Sequence, residues 1–253
     1  MKKLIFLTSF LVLSIFCAIA FAYILPGDFI IRKNAEQRAT DVFREITLEG
    51  SVEFKGPGGT IAGEGTLVIN EGGGLELKVM SGHKEHDLVV RSGRVISASE
   101  SMKSVVDALK GREQLVADMF PILVPNSVLN REIREAGITP EIRSLARFKG
   151  RVAFALGARS GDRSSSQLWI DKDSFQILRL MLAGKTADER FDFRFIDYQT
   201  SPAPGKAPRT LEILYGQNVL FRMDAEKIYL EVLKDKPAKT TPVKKSTKKK
   251  KTQ

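Results

Sequence analysis

Ile46-Thr47-Leu48-Glu49-Gly50-Ser51-Val52-Glu53-Phe54-Lys55 alternates strictly between apolar or small residues and polar ones. Successive side chains of a strand point to opposite sides, so a period of two marks a strand with one buried and one wet face. The next four residues, Gly56-Pro57-Gly58-Gly59, are turn formers, and the alternation resumes at Ile61, Gly63, Gly65, Leu67 and Ile69. Glu71-Gly72-Gly73-Gly74 turns again into Leu75, Leu77 and Val79, and Ser92-Gly93 separates residues 87–91 from residues 94–99. Five short strands joined by turns make a meander. Gly50, Gly63 and Gly65 fall in phase with the apolar positions, and glycine inside a strand permits a sharp bend or the close approach of a neighbouring backbone.

On the N-terminal side, Pro26-Gly27-Asp28 reads as a helix start, with Asp28 as N-cap ahead of Phe29, Ile30, Lys33 and Gln37 and an expected end near Thr40. On the C-terminal side the period changes after Glu100. Met102, Val105, Val106 and Leu109, then Leu115, Val116, Met119 and Phe120, fall at helical spacings, interrupted by Gly111 and stopped by Pro121. Asn126 is placed to cap a further short helix to about Ala136, ahead of Gly137.

Alternation returns with Val152, Phe154 and Leu156, then Leu168-Trp169-Ile170, the turn Asp171-Lys172-Asp173-Ser174, and an apolar run over 175–182. Phe191, Phe193 and Phe195 follow, then Leu211, Ile213 and Tyr215, residues 220–223, and Ile228, Leu230 and Val232. That is roughly eleven or twelve strands, and an open sheet of such width curls. The expected fold is α+β, mainly β: a strongly curved antiparallel sheet, an unclosed half-barrel, with an N-terminal helix and a mid-chain helical lid against its concave side.

The net charge of +10, from 40 Lys and Arg against 30 Asp and Glu, first suggests a phosphate-bearing partner. Its location removes that reading. Residues 234–253 hold nine Lys and one Asp, and Lys2 and Lys3 open the chain, which leaves 29 residues of each sign between positions 4 and 233. A neutral body offers no basic face to nucleic acid. Lys2-Lys3, the apolar stretch Leu4 to Ala22, and its close on Ala20-Phe21-Ala22 are the three parts of a secretory signal. Cleavage is expected after Ala22, and an uncleaved inner-membrane anchor is the alternative. The expected domains are therefore a signal peptide at 1–22, one half-barrel domain at 23–233, and a disordered Lys-rich tail at 234–253. The expected compartment is the periplasm. Cys17, the one cysteine, lies in the signal, so the body has neither disulfides nor thiol chemistry and must rely on its own core.

Catalytic motifs are not forthcoming. His83-Lys84-Glu85-His86 has a metal-like spacing, but positions i and i+3 of a strand face opposite sides, so a solvated hairpin end is the better reading. Asp171 and Asp173 read as parts of a polar β-turn and not as an acid pair. The glycine-rich stretches lack the spacing of a phosphate loop, and Ser164-Ser165-Ser166 lacks a nucleophile elbow. Apolar faces remain, and one dry core would fit them as well as a cavity. The expectation is a protein without enzymatic activity, metal or cofactor.

Leu168-Trp169-Ile170-Asp171-Lys172-Asp173-Ser174-Phe175-Gln176-Ile177-Leu178-Arg179-Leu180 resembles the strand–turn–strand of the periplasmic lipoprotein-carrier superfamily, the LolA-like carriers with RseB-type sensors among their relatives. Residues 193–198 followed by 208–213 are similar to its next hairpin, and the likeness extends over about residues 26–232. The resemblance implies an unclosed barrel whose concave face, covered by helices, takes up acyl chains. The implied cavity candidates are Leu48, Val52, Leu67, Leu77, Val90, Met102, Val105, Val106, Leu109, Met119, Phe120, Phe154, Ile170 and Phe193. Well-known carriers hold the lid with an arginine on an early strand, whereas Lys55 to Gly59 offers none, so no functional residue is transferred there.

The implied function is that of a monomeric lipid-binding or lipoprotein-binding carrier that serves lipoprotein sorting to the outer membrane, with inner- and outer-membrane protein partners. The alternative is an envelope sensor that binds an inner-membrane partner. The tail lysines Lys244, Lys245, Lys248, Lys249, Lys250 and Lys251 are expected to meet anionic envelope surfaces.

Overall fold

The structure, a computed structural model, describes residues 24–38, 43–70, 74–91, 94–109, 126–186, 189–198 and 207–232. The expectations for the signal peptide, for Met119 and Phe120, and for the tail lysines lie outside these residues.

The chain begins with α1 (Gly27–Arg38), followed by the strands β1 (Phe43–Gly56), β2 (Gly59–Asn70), β3 (Gly74–Ser81), β4 (Lys84–Arg91) and β5 (Arg94–Ala98). A 3-10 turn (Glu100–Met102), α2 (Lys103–Leu109) and α3 (Asn126–Glu135) come next. The second run of strands is β6 (Arg143–Phe148), β7 (Arg151–Leu156), β8 (Gln167–Asp171), β9 (Ile177–Leu182), β10 (Phe191–Tyr198), β11 (Pro208–Tyr215) and β12 (Asn218–Val232). Among the described residues no helix is long and apolar enough to cross a membrane.

All twelve strands form one antiparallel sheet in the order β5-β4-β3-β2-β1-β12-β11-β10-β9-β8-β7-β6. The first and last strands pair at its centre, and each half is a simple meander. The two edges, β5 and β6, are consecutive in the chain and do not pair, so the barrel stays unclosed. The segment between them must travel from one edge of the sheet to the other, and this is the stretch that carries α2 and α3.

Strand register builds continuous apolar rows on one face. Leu48, Leu67, Leu77 and Leu88 are successive partners across β1 to β4. Phe54, Phe221, Ile213, Phe193, Leu180, Leu168 and Leu156 are successive partners from β1 through β12 to β7. Each fully buried side chain of this size contributes about 1.5–3 kcal/mol. Ile30 and Ile31 of α1, Met102, Val105 of α2, and Ile133 of α3 join the same cluster, so the helices lie on this inner face, as the sequence predicts.

The glycines act at the bend. Gly50 pairs with Gly65 on one side and Ala225 on the other. A Cβ at Gly50 would sit 2.1 Å from the Asp224 carbonyl oxygen, and one at Gly63 would sit 2.1 Å from that of Met80. The strands approach too closely there for any side chain.

Several expectations need correction. Asp28 lies inside the first turn of α1 and not at its N-cap, and it faces Arg134 at 3.4 Å. β6 has no counterpart in the sequence reading, because its buried positions are Ser144 and Phe148 while Leu145 is exposed. Residues 220–223 and 228–232 belong to one strand. Glu49 pairs with Lys227 and Gly50 with Ala225, so Glu226 forms a bulge that moves the inward positions from odd to even numbers. His86 is buried on the inner face, edge-on to Phe54, and only His83 sits in the exposed hairpin turn.

Candidate functional site

The inner face and its cover are the candidate site. Leu48, Val52, Leu67, Leu77, Val90, Met102, Val105, Phe154, Ile170 and Phe193 are all buried in a single cluster, and Val106 packs against it part-buried. The side chain of Leu109, at the end of α2, lies outside the description, as do Met119 and Phe120. Phe54, Leu88, Phe191, Phe195 and Leu180 belong to the same surface. The alternation that marks their neighbours marks them equally.

Polar contacts fasten the start of the cover to β4. His86 Nδ1 meets Ser101 Oγ at 2.6 Å, the Asp87 amide donates to Ser99 Oγ at 2.9 Å, and the Ser99 hydroxyl donates to the Asp87 carboxylate. Beyond that anchor, Met102 and Val105 press apolar side chains on the sheet. On the other side of the face, Asn34 of α1 donates to the Phe175 carbonyl at 2.6 Å, and Arg134 links Asp28 of α1 to Glu141 at 3.4 and 3.1 Å. A surface of this kind can sequester apolar chains.

The outer face is different. Asp192, 2% exposed, takes a two-pronged contact from Arg179 at 2.7 Å for both oxygens and a further bond from Arg194 at 3.0 Å. Arg194 continues to Glu212 at 3.3 Å, Glu212 to Arg222 at 3.6 Å, and Arg222 to Asp224 at 2.7 Å. Burial works against the Asp224 carboxylate, but hydrogen bonds from Arg222 and Thr210 prevail and hold its pKa below the ordinary value. The Arg179 guanidinium also lies 4.9 Å from the Trp169 ring centre and 5.7 Å from that of Phe148. Two hollows open on this face. One, of about 460 Å³, lies at the glycine bend among Glu49, Glu64, Lys78 and Glu226; the other, of about 390 Å³, lies beside Trp169.

The turn at residues 171–174 behaves as read from sequence. Asp171 Oδ1 accepts from the Ser174 amide at 2.7 Å and its hydroxyl at 2.8 Å, while Arg151 approaches Oδ2 at 2.9 Å. Asp173 is exposed. Asp171 is held within the turn while Asp173 stands in solvent, and among the described residues no three His, Cys, Asp or Glu side chains group as metal ligands.

No protein-family model and no curated protein matches the chain. Solved structures do. The chain is similar to a LolA superfamily protein from Nitrosomonas europaea at 12% identity, covering 84% of this chain and 97% of that one with a TM-score of 0.46. It is similar to a DUF1329 family protein from Desulfovibrio piger at 11% identity, covering 81% and 93% with a TM-score of 0.44. It is also similar to a chain of the Pseudomonas aeruginosa MucA/MucB complex at 14% identity, covering 84% of this chain but 59% of the other, with a TM-score of 0.30. At such identities and TM-scores these likenesses carry no argument about what this chain binds or does.

Proposed function

We propose that this chain is an exported, non-enzymatic carrier that shelters the acyl chains of a lipid or lipoprotein against the inner face of its sheet, beneath the segment joining β5 to β6. The observation that carries the proposal is the unbroken apolar surface formed by the rows through Leu48 and Phe54, covered by a segment whose own apolar side chains rest on it. Withdrawal of Met102 and Val105 would uncover the apolar side chains of the inner face that they pack against. An acyl chain that replaces them gains about 0.8 kcal/mol per buried CH₂, and no chemical step is required.

In this reading residues 1–22 direct export to the periplasm, residues 23–233 form the carrier, and donor and acceptor proteins in the inner and outer membranes pass the cargo. The lysines of the tail hold the carrier near anionic surfaces, each contributing about 1 kcal/mol when close to one.

Native mass spectrometry of the mature protein purified from an envelope tests this. The expected result is a lipid or lipoprotein adduct displaced by added fatty acid. A protein without adduct that instead captures one inner-membrane protein, through residues 100–136, would replace the carrier with the sensor reading.

A further inference from the structure

The loop between β7 and β8, residues 157–166, closes the 390 Å³ hollow against Trp169 and Arg190 on the outer face. The loop is built, not slack. Gly157 has φ +91, and a Cβ there would meet the Ser166 carbonyl oxygen at 2.5 Å. Asp162, the loop's acid, accepts hydrogen bonds of 2.7–3.2 Å from the hydroxyls and amides of Ser165 and Ser164. These bonds, the Ser165 hydroxyl foremost, hold its carboxyl far below the ordinary carboxylate range. Gln167, 1% exposed, donates to the Asp162 carbonyl at 2.7 Å and accepts from the Trp169 indole at 2.9 Å. The acid also lines the hollow, with both carboxylate oxygens engaged by the hydroxyls and amides of Ser164 and Ser165.

Four arginines line the hollow; Arg179 is held by Asp192, which leaves three, Arg159, Arg163 and Arg190. Among the described residues none of the three has a carboxylate partner, whereas Arg134, Arg151, Arg179, Arg194 and Arg222 all do. Arg190 Nη1 donates to the Arg163 carbonyl at 2.8 Å, which fixes the guanidinium, and its Nε is buried with no hydrogen-bond partner. An unsatisfied buried donor is costly, and a guanidinium fork matches the oxygens of a tetrahedral anion.

We propose that this hollow is a binding site for a phosphate group, free or as a monoester, with Arg159, Arg163 and Arg190 supplying the charge. A dianion suits three unpaired cations better than a single carboxylate does. The group can arrive as free phosphate or on a phosphorylated headgroup, and the site lies on the face opposite the acyl-binding surface, so it stands or falls independently of the carrier reading.

Trp169 is the only tryptophan in the chain and lines the hollow, so its fluorescence reports occupancy. The full chain is titrated with inorganic phosphate, with glycerol phosphate, and with acetate at matched ionic strength. A saturable change with either phosphate and none with acetate is expected, weakened about tenfold or more in Arg190→Gln and in Arg159→Gln and unaltered in Lys78→Gln. Tighter binding of glycerol phosphate assigns the headgroup source; equal or tighter binding of inorganic phosphate assigns the free ion. Arg159 is exposed on the loop, so Arg159→Gln keeps the test valid if Arg190→Gln misfolds. No saturable response, or one indifferent to both substitutions, overturns the proposal.

Discussion

The halves of the sheet on either side of the β1–β12 pair share an inner face and differ on the outer one. In β3 the residues alternate between buried and partly or fully exposed, and the outer charges, such as Lys78 beside Glu76, stand in water. In β8, β9 and β10 the residues are buried on both faces, although helices cover only one. The second cover consists of arginine stems, the 157–166 loop and the small cluster of Phe148, Ala153, Leu178 and Ile196. The difference teaches which half can move. The first half has glycines at its bend and a solvated back, while the second is fixed from behind by a ladder of paired charges. Opening of the inner face is therefore expected on the β1–β5 side, where the cover is anchored through His86 and Asp87.

Asp192→Ala should give the largest effect. It removes a buried carboxylate and leaves Arg179 and Arg194 facing each other, at a cost of about 3–5 kcal/mol, read as a lower denaturant midpoint with unchanged slope. A loss near zero would mean that the outer ladder does not stiffen the second half. Gly63→Ala comes next, at about 2 kcal/mol, since the new Cβ has to push back the Met80 backbone. Gly58→Ala is its control: a Cβ there meets nothing within 4 Å, so stability should stay within about 0.5 kcal/mol. Equal effects at the two positions would remove the bend from the account.

How much of this was legible depends on parity. The strands β1 to β3 could be read directly because their apolar period is unbroken and their turns contain glycine. β12 reads as two strands because the bulge at Glu226 shifts the phase, and in β9 the bulge at Leu178 makes the inward residues run Ile177, Leu180, Leu182. β6 gives no signal because an edge strand with a buried serine and an exposed leucine has lost its alternation. The inner-face candidates could be found from that alternation. The outer ladder could not, since a charge on a wet face looks the same in sequence whether it is paired or solvated. His86 fails for a similar reason: its spacing from His83 separates the two rings, but only the packing of Phe54 and Ser101 shows that one of them is buried.

Smaller effects sharpen the same contrast. Ser101→Ala removes the bond to His86 and should cost about 1 kcal/mol, while the rate of fatty-acid uptake is expected to rise because the anchor of the cover on β4 is looser. An unaltered rate would move the opening elsewhere. Asp162 titrates below its unfolded value, so its contribution is complete above about pH 4 and fades as the pH falls through its lowered folded value. The denaturant midpoint should therefore fall less on acidification below about pH 4 in Asp162→Asn than in the wild type. Lys78→Gln, on the solvated back of the first half, should leave the denaturant midpoint where it is.

The central claim is that acyl chains enter the inner face and not the outer one. Phe154 and Trp169 lie on neighbouring strands but on opposite faces. Quenching by a fatty acid brominated along its chain, measured in the wild type and in a Phe154→Trp, Trp169→Phe double variant, separates the two. The account predicts strong, saturable quenching of the tryptophan at position 154 and little at 169; quenching at 169 alone, or at neither position, would contradict it.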